Sequence, residues 1–213
     1  MQIVNLLFLK SLFCFLLLIL FIPTQAQTLL ELKEWKKVSD DDGVIVHINE
    51  TGHSQIVRVK TEVTINSSLA LIQSILDDVD HRHEWVPFLE TSRVLKPFSP
   101  FEKLEYSIFY GPWPASDRDF VYRITLYKQN DQQVSYSMIS EPDPIMPEQK
   151  DKVRAQLIES YYTLTALNDQ QTHVELIFHA DPKGWVPVWI VNIIQRVLPS
   201  LILKNLKERA ETE

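Results

Sequence analysis

The sequence predicts an α+β fold in which one antiparallel sheet is covered on its apolar face by a long C-terminal helix. The first observation is the run Val57, Val59, Thr61, Val63 and Ile65, which alternates with Arg58, Lys60, Glu62 and Thr64. That pattern gives a strand one dry face and one wet face. The second is the recurrence of the same two-residue period at Leu104–Tyr110, Phe120–Leu126, Val134–Met138 and Val174–Ala180. The third is a change of period near the end of the chain. Between residues 186 and 209, Trp189, Ile190, Ile193, Ile194, Val197 and Leu201 fall on one side of a helix, with Asn192, Gln195, Arg196, Ser200, Lys204 and Lys207 on the other. A sheet with a bare apolar face needs a cover, and this is the only element long and apolar enough to supply it.

In chain order, Leu29, Leu30, Leu32, Trp35 and Val38 recur at spacings near 3.6 among Glu and Lys and predict an amphipathic opening helix. Asp40, Asp41, Asp42 and Gly43 predict a turn, with strands following near 44–50 and 54–65. Asn66, Ser67 and Ser68 offer caps for a helix through Leu69, Ile72, Ile75 and Leu76. Asp80 is expected to cap a short further turn that carries Trp85 and ends before Pro87. The strands named above then form a meander of about five with the segment 153–166 as a long member. Pro187 falls in the first turn of the last helix, where a missing N–H costs little, and Pro199 is expected to bend it.

The chain has 213 residues, one cysteine and a net charge of −7. Residues 11–22 read SLFCFLLLILFI, preceded by Lys10 and followed by Thr24 and Ala26 at the −3 and −1 positions of a cleavage site. A basic flank, an apolar run of this length and a small residue at the cut describe a secretory signal at 1–26, or an N-terminal anchor if it is retained. The expectation is therefore export, to the periplasm or outside the cell, with membrane anchoring if the segment is uncleaved. The remaining 187 residues, 27–213, contain no cysteine and hold 20 basic against 28 acidic side chains, which suits one domain. Without cysteine they carry no disulfide framework, thiolate zinc site or thiol nucleophile. Their acidic balance argues against nucleic acid as a partner.

The strings PWPASDRDFV at 112–121, MPEQK at 146–150 and HADPKGWVPVWIVN at 179–192, in this order and spacing, resemble the START domain, the StAR-related lipid-transfer family. The resemblance covers about residues 29–210. It implies the helix-grip fold: a curved antiparallel sheet wrapped around the C-terminal helix, with an internal hydrophobic tunnel between them for a lipid. The expected function is binding, and transfer, of a lipid or other hydrophobic small molecule by a monomer without catalysis or cofactor, in transient contact with membranes. By the alternation, Tyr106, Ile108, Phe120, Tyr122 and Ile124 are the expected ligand-binding residues from strands, facing Trp189, Ile193 and Val197 from the helix. Trp113, between two prolines, is a loop plug that touches ligand. Arg118 and Asp119 flank a strand start and are expected to fix a loop by ion pairing and backbone hydrogen bonds. Some sterol-binding relatives place an acid and an arginine inside the cavity. Glu105 matches the acid, but the arginine's place holds Ile124, and Arg123 beside it points to the opposite face.

Catalytic signatures are sparse. The sequence has no Gly-rich phosphate loop and no G-x-S-x-G elbow. Asp77, Asp78, Asp80, His81, His83 and Glu84 form the densest set of metal-ligating types, but their spacing fits a solvated helix end better than a shared ligand. Two other readings fit a cavity of this kind. One is a cyclase/aromatase-like or hydrolytic enzyme using Tyr106, Tyr122, Glu105 or His179 to move protons; the other is a ligand-sensing interaction module.

Overall fold

The computed structural model describes residues 34–50, 54–111 and 115–213. The signal-like segment and Trp113 lie outside them. Ten strands form one sheet in the order β1-β2-β3-β10-β9-β7-β6-β5-β4, with β8 beside β6. They are β1 (Lys36–Asp41), β2 (Val44–Asn49), β3 (Arg58–Ile65), β4 (Leu89–Ser99), β5 (Glu102–Phe109), β6 (Arg118–Lys128), β7 (Gln133–Ser140), β8 (Val153–Arg154), β9 (Gln156–Asn168) and β10 (Gln171–Asp181). All neighbours pair antiparallel except β6 and β8. Helix α1 (Leu69–Asp77) and a 3-10 turn (Arg82–Glu84) carry the chain from β3 to the far edge of the sheet, and α2 (Val188–Thr212) ends the fold.

Local chemistry explains most of these elements. Asp42 and Gly43 both take positive φ, 52° and 77°, and close the β1–β2 hairpin in the turn that the Asp-Gly pair predicts. The Ser68 side chain accepts the Leu71 N–H at 3.2 Å and caps α1, which buries Ile72, Ile75 and Leu76. The expected opening helix is corrected. Residues 36–41 pair with β2 as an exposed edge strand, and the rest of that segment lies outside the described residues. Strand β4, which the patterning misses, is the opposite edge; it contains Pro97 and several register shifts, features an edge tolerates and a central strand does not. Asp78 rather than Asp80 receives the backbone after α1, accepting the His81 N–H at 3.3 Å.

Helix α2 lies against β2, β3, β10 and α1. Its C-terminal half is pinned by Asn205 to the Trp85 carbonyl at 2.8 Å and by Arg209 to Glu84 at 2.7 Å. Its N-terminal half is clasped by Asn192, which accepts from the Val57 N–H and donates to the Gln55 carbonyl, both at 3.0 Å. The inner stripe is Val191, Gln195, Leu198, Ile202 and Leu206. On the opposite side of the sheet a smaller cluster of Leu104, Tyr106 and Val121 is covered by Leu95, Ile108 and Met146.

That outer cover depends on Asp119. Its carboxylate, fully buried, takes both Arg154 Nε and Nη2, at 3.0 and 2.9 Å, and the Tyr106 hydroxyl at 3.1 Å. Burial, reinforced by the Asp119 charge, pushes the Tyr106 phenol up to about 12, so it stays a donor. Arg154 also donates to the Met146 carbonyl at 3.2 Å and so ties down the 141–152 connection. Breaking a buried pair leaves a charge without its partner, which costs about 3–5 kcal/mol. Asp119→Ala is therefore expected to lower unfolding free energy by about 3 kcal/mol or more in urea titration; a loss under half of that would mean that the pair does not hold the cover.

Candidate ligand-binding cavity

Between the concave face of the sheet and α2 lies a cavity of about 560 Å³. Its walls are apolar: Phe109 from β5, Phe120 and Tyr122 from β6, Met138 from β7, Leu157 and Tyr162 from β9, Leu176 and Phe178 from β10. Helix α2 closes it with Ile190, Val191, Ile194, Leu198 and Ile202. A close-packed interior leaves few voids larger than a water molecule, so a space of this size, within the usual range for small-molecule sites, marks a place for a guest.

Strand register sets which expected residues reach it. Phe120 pairs across from Ser107, and Tyr122 from Glu105, so the inward residues of β5 are Glu105, Ser107 and Phe109. Phe120 and Tyr122 lie on the wall. The inward orientation expected for Tyr106 and Ile108 is corrected: both point to the outer face, because that face of β5 is apolar too, being buried beneath Met146 and Leu95. Ile124 faces inward into the main core but does not line the cavity. Trp189, Ile193 and Val197 are also corrected. They lie on the outside of α2, with Trp189 66% exposed, because the helix is apolar on both sides and the sheet takes the stripe one position on.

Two polar groups of residues interrupt the apolar wall. At the α1 end, Arg82 is buried, with Nη1 2.6 Å from Glu105 and 3.4 Å from the Tyr122 hydroxyl, and Nη2 donates to the Leu76 carbonyl at 2.9 Å. Lys103 lies 2.9 Å from the other Glu105 oxygen, and Ser107 shares a 2.7 Å hydrogen bond with Tyr122. Burial alone lowers the Arg82 pKa, but Glu105 more than offsets this and raises it. Tyr122 and Tyr162 are pushed above their ordinary value by burial and remain neutral phenols. The arginine that meets Glu105 thus comes from the 3-10 turn and not from β6. The sequence reading missed it because Arg82 sits among His81, His83 and Glu84, a string that looks solvated. Asp78 and His81 of that string pair at 2.9 Å, and no cluster suited to a metal occurs among the described residues.

The second group lies at the other end. Arg118 lines the cavity and is 9% exposed. Its Nη1 donates to the Ser116 carbonyl and its Nε to the Pro182 carbonyl at 3.4 Å. Arg118 and Asp119, consecutive in β6, therefore do not act together: one faces the cavity and the other the outer cover. Gln195, also on the wall and 2% exposed, donates to the Ala180 carbonyl while its Oε1 has no partner. Phe88, Tyr110 and Ile194 line the cavity and are themselves exposed, so it reaches the surface between them. Phe88 holds φ of 63°, a conformation rare for an aromatic residue. His179 is not on the wall; it is buried beside Arg58 and Glu159, and desolvation lowers its pKa.

This architecture recurs in known proteins. The chain superposes on the STAR-related lipid transfer protein from Xanthomonas axonopodis with a TM-score of 0.74 and 27% identity, covering 83% of this chain and 98% of that one. Human STARD10 superposes with a TM-score of 0.77 at 18% identity, over 87% of this chain and 77% of that one. An uncharacterised protein of Pseudomonas aeruginosa is 27% identical over 179 residues, 84% of this chain and 88% of that protein. The sequence profile of the START domain matches residues 24–211. The chain belongs to the START domain family.

Proposed function

We propose that the protein is a noncatalytic carrier that holds one lipid, or another hydrophobic small molecule, between the sheet and α2. The observation that carries this reading is the 560 Å³ space with an almost wholly apolar wall. Each Å² of apolar surface removed from water contributes about 25 cal/mol, so an acyl chain is retained there with few polar contacts. The same wall argues against an enzyme: His179 faces away from the space, and Tyr122 is engaged with Glu105 and Ser107. The carrier works as an exported monomer, without cofactor.

Entry and exit run through the end bounded by Ala115–Asp117 and Pro182–Val186. Arg118 bridges these two segments, and Lys183 and Gly184, at φ of 49° and 65°, form the turn that leads into α2. Beside this end, Trp185 is 87% exposed, and Val188, Trp189, Ile193 and Val197 continue an uncovered apolar stripe. Aromatic side chains with a polar edge suit the boundary of a bilayer. Transient docking of this stripe on a membrane delivers the mouth to its lipid supply.

The full chain, purified from its native host and analysed by native mass spectrometry, is expected to carry one hydrophobic molecule per protein; a chain that stays empty and takes up no lipid from mixed vesicles sinks the carrier reading. Cysteines introduced at Ser116 and Lys183 in a Cys14→Ser background, once oxidised, are expected to slow uptake on the order of tenfold, with recovery on reduction. Unchanged uptake would place the gate elsewhere. Trp185→Ala with Trp189→Ala is expected to slow transfer between vesicles while leaving thermal stability and the bound molecule intact.

A further inference from the structure

The two arginines on the cavity wall differ in their compensation. Arg82 is neutralised by Glu105 and has further acceptors in Tyr122 and the Leu76 carbonyl. Arg118 has little exposed surface, yet among the described residues no carboxylate pairs with it. Its acceptors are two backbone carbonyls, one of them at a long 3.4 Å. Burial pulls its pKa down, against a weaker pull upward from Asp117. The Asp117 side chain is itself occupied, accepting the Gly111 N–H at 2.8 Å. A buried cation without a counter-charge is costly, and among the described residues no acidic side chain lines the cavity to supply one.

Gln195 shares that end of the cavity. It donates to the carbonyl of Ala180, two residues before the Pro182 carbonyl that Arg118 uses, so the two side chains converge on one strand end. That end therefore presents a guanidinium with no carboxylate beside it. The α1 end presents a closed ion pair.

We infer that the carried molecule is an anionic lipid, its acid group on Arg118 at the mouth and its tail running toward Tyr162 and Leu76. This rests on the carrier reading above and adds the charge and the orientation. A carboxylate accepts both forks of a guanidinium. Binding also draws Arg118 away from the Ser116 and Pro182 carbonyls, so the ligand that fills the site loosens the two segments that bound its entrance.

The test compares palmitate with 1-hexadecanol, of equal chain length and without the charge, each binding to delipidated full chain. Palmitate is expected to bind at least about tenfold more tightly than the alcohol, a charge-assisted bond's worth. Arg118→Gln is expected to erase the preference for palmitate while hexadecanol still binds, and Arg118→Lys to keep part of it. Inorganic phosphate at millimolar concentration is expected not to displace palmitate, which separates a lipid head from a free anion. Equal binding of palmitate and hexadecanol by the unaltered chain, or a preference that survives Arg118→Gln, overturns the inference alone. Failure of both to bind overturns the carrier reading with it. The comparison within the unaltered chain decides the matter even if Arg118→Gln folds poorly.

Discussion

Consecutive residues of a strand point to opposite faces, and at the start of β6 this constraint organises the protein. Arg118 turns toward the cavity and reaches the carbonyls of Ser116 and Pro182. Asp119 turns the other way and binds Arg154 and Tyr106, which fixes the outer cover over Leu104 and Val121. A single peptide step thus joins the entrance of the cavity to the layer behind the sheet. The motif strings ASDRDFV and DPKGWVP, distant in sequence, meet through that guanidinium. Gly184 belongs to the same contact: a Cβ there would come within 3.8 Å of Arg118 Nη2 and 3.5 Å of Val153.

Holding a space open inside a small domain forfeits packing that a solid core would supply. The compensation is visible around the cavity rather than in it. Helix α2 is fixed at both halves by side chains to backbone, Asn192 and Gln195 on one half and Asn205 on the other. At the α1 end, Arg82 and Tyr122 of the wall are tied to Glu105 and Ser107 behind it in one connected network. At the opposite end Arg118 has only backbone carbonyls as acceptors. The cavity is therefore asymmetric, with an ion pair at one end and a guanidinium without a carboxylate at the other.

The exposed aromatics make physical sense beside such an entrance. Phe88 and Tyr110 flank the opening, linked by the Tyr110 N–H to the Phe88 carbonyl at 2.9 Å, and Trp185 and Trp189 stand at the adjoining turn and helix start. In the carrier proposed above, apolar surface at this position would shorten the path of a hydrophobic guest across water.

By itself the sequence determined the antiparallel sheet, the cap of α1, the turn at Asp42 and Gly43, the long last helix and the family. These rest on local rules: a period of two, a period near 3.6, a capping hydroxyl and a turn that tolerates positive φ. Tertiary structure decided which face is which. In β5 the apolar residues Leu104, Tyr106 and Ile108 face a second layer outside the sheet while Glu105 and Ser107 face inward, so alternation alone assigns the wrong face to the cavity. Helix α2 carries apolar residues nearly all round, and the choice between the Trp189–Ile193 stripe and the Val191–Gln195 stripe was made by packing against β3 and β10. Arg82 and Gln195 are polar side chains inside an apolar wall. Their burial is possible only because Glu105 and the Ala180 carbonyl, remote in sequence, stand opposite them in the folded chain.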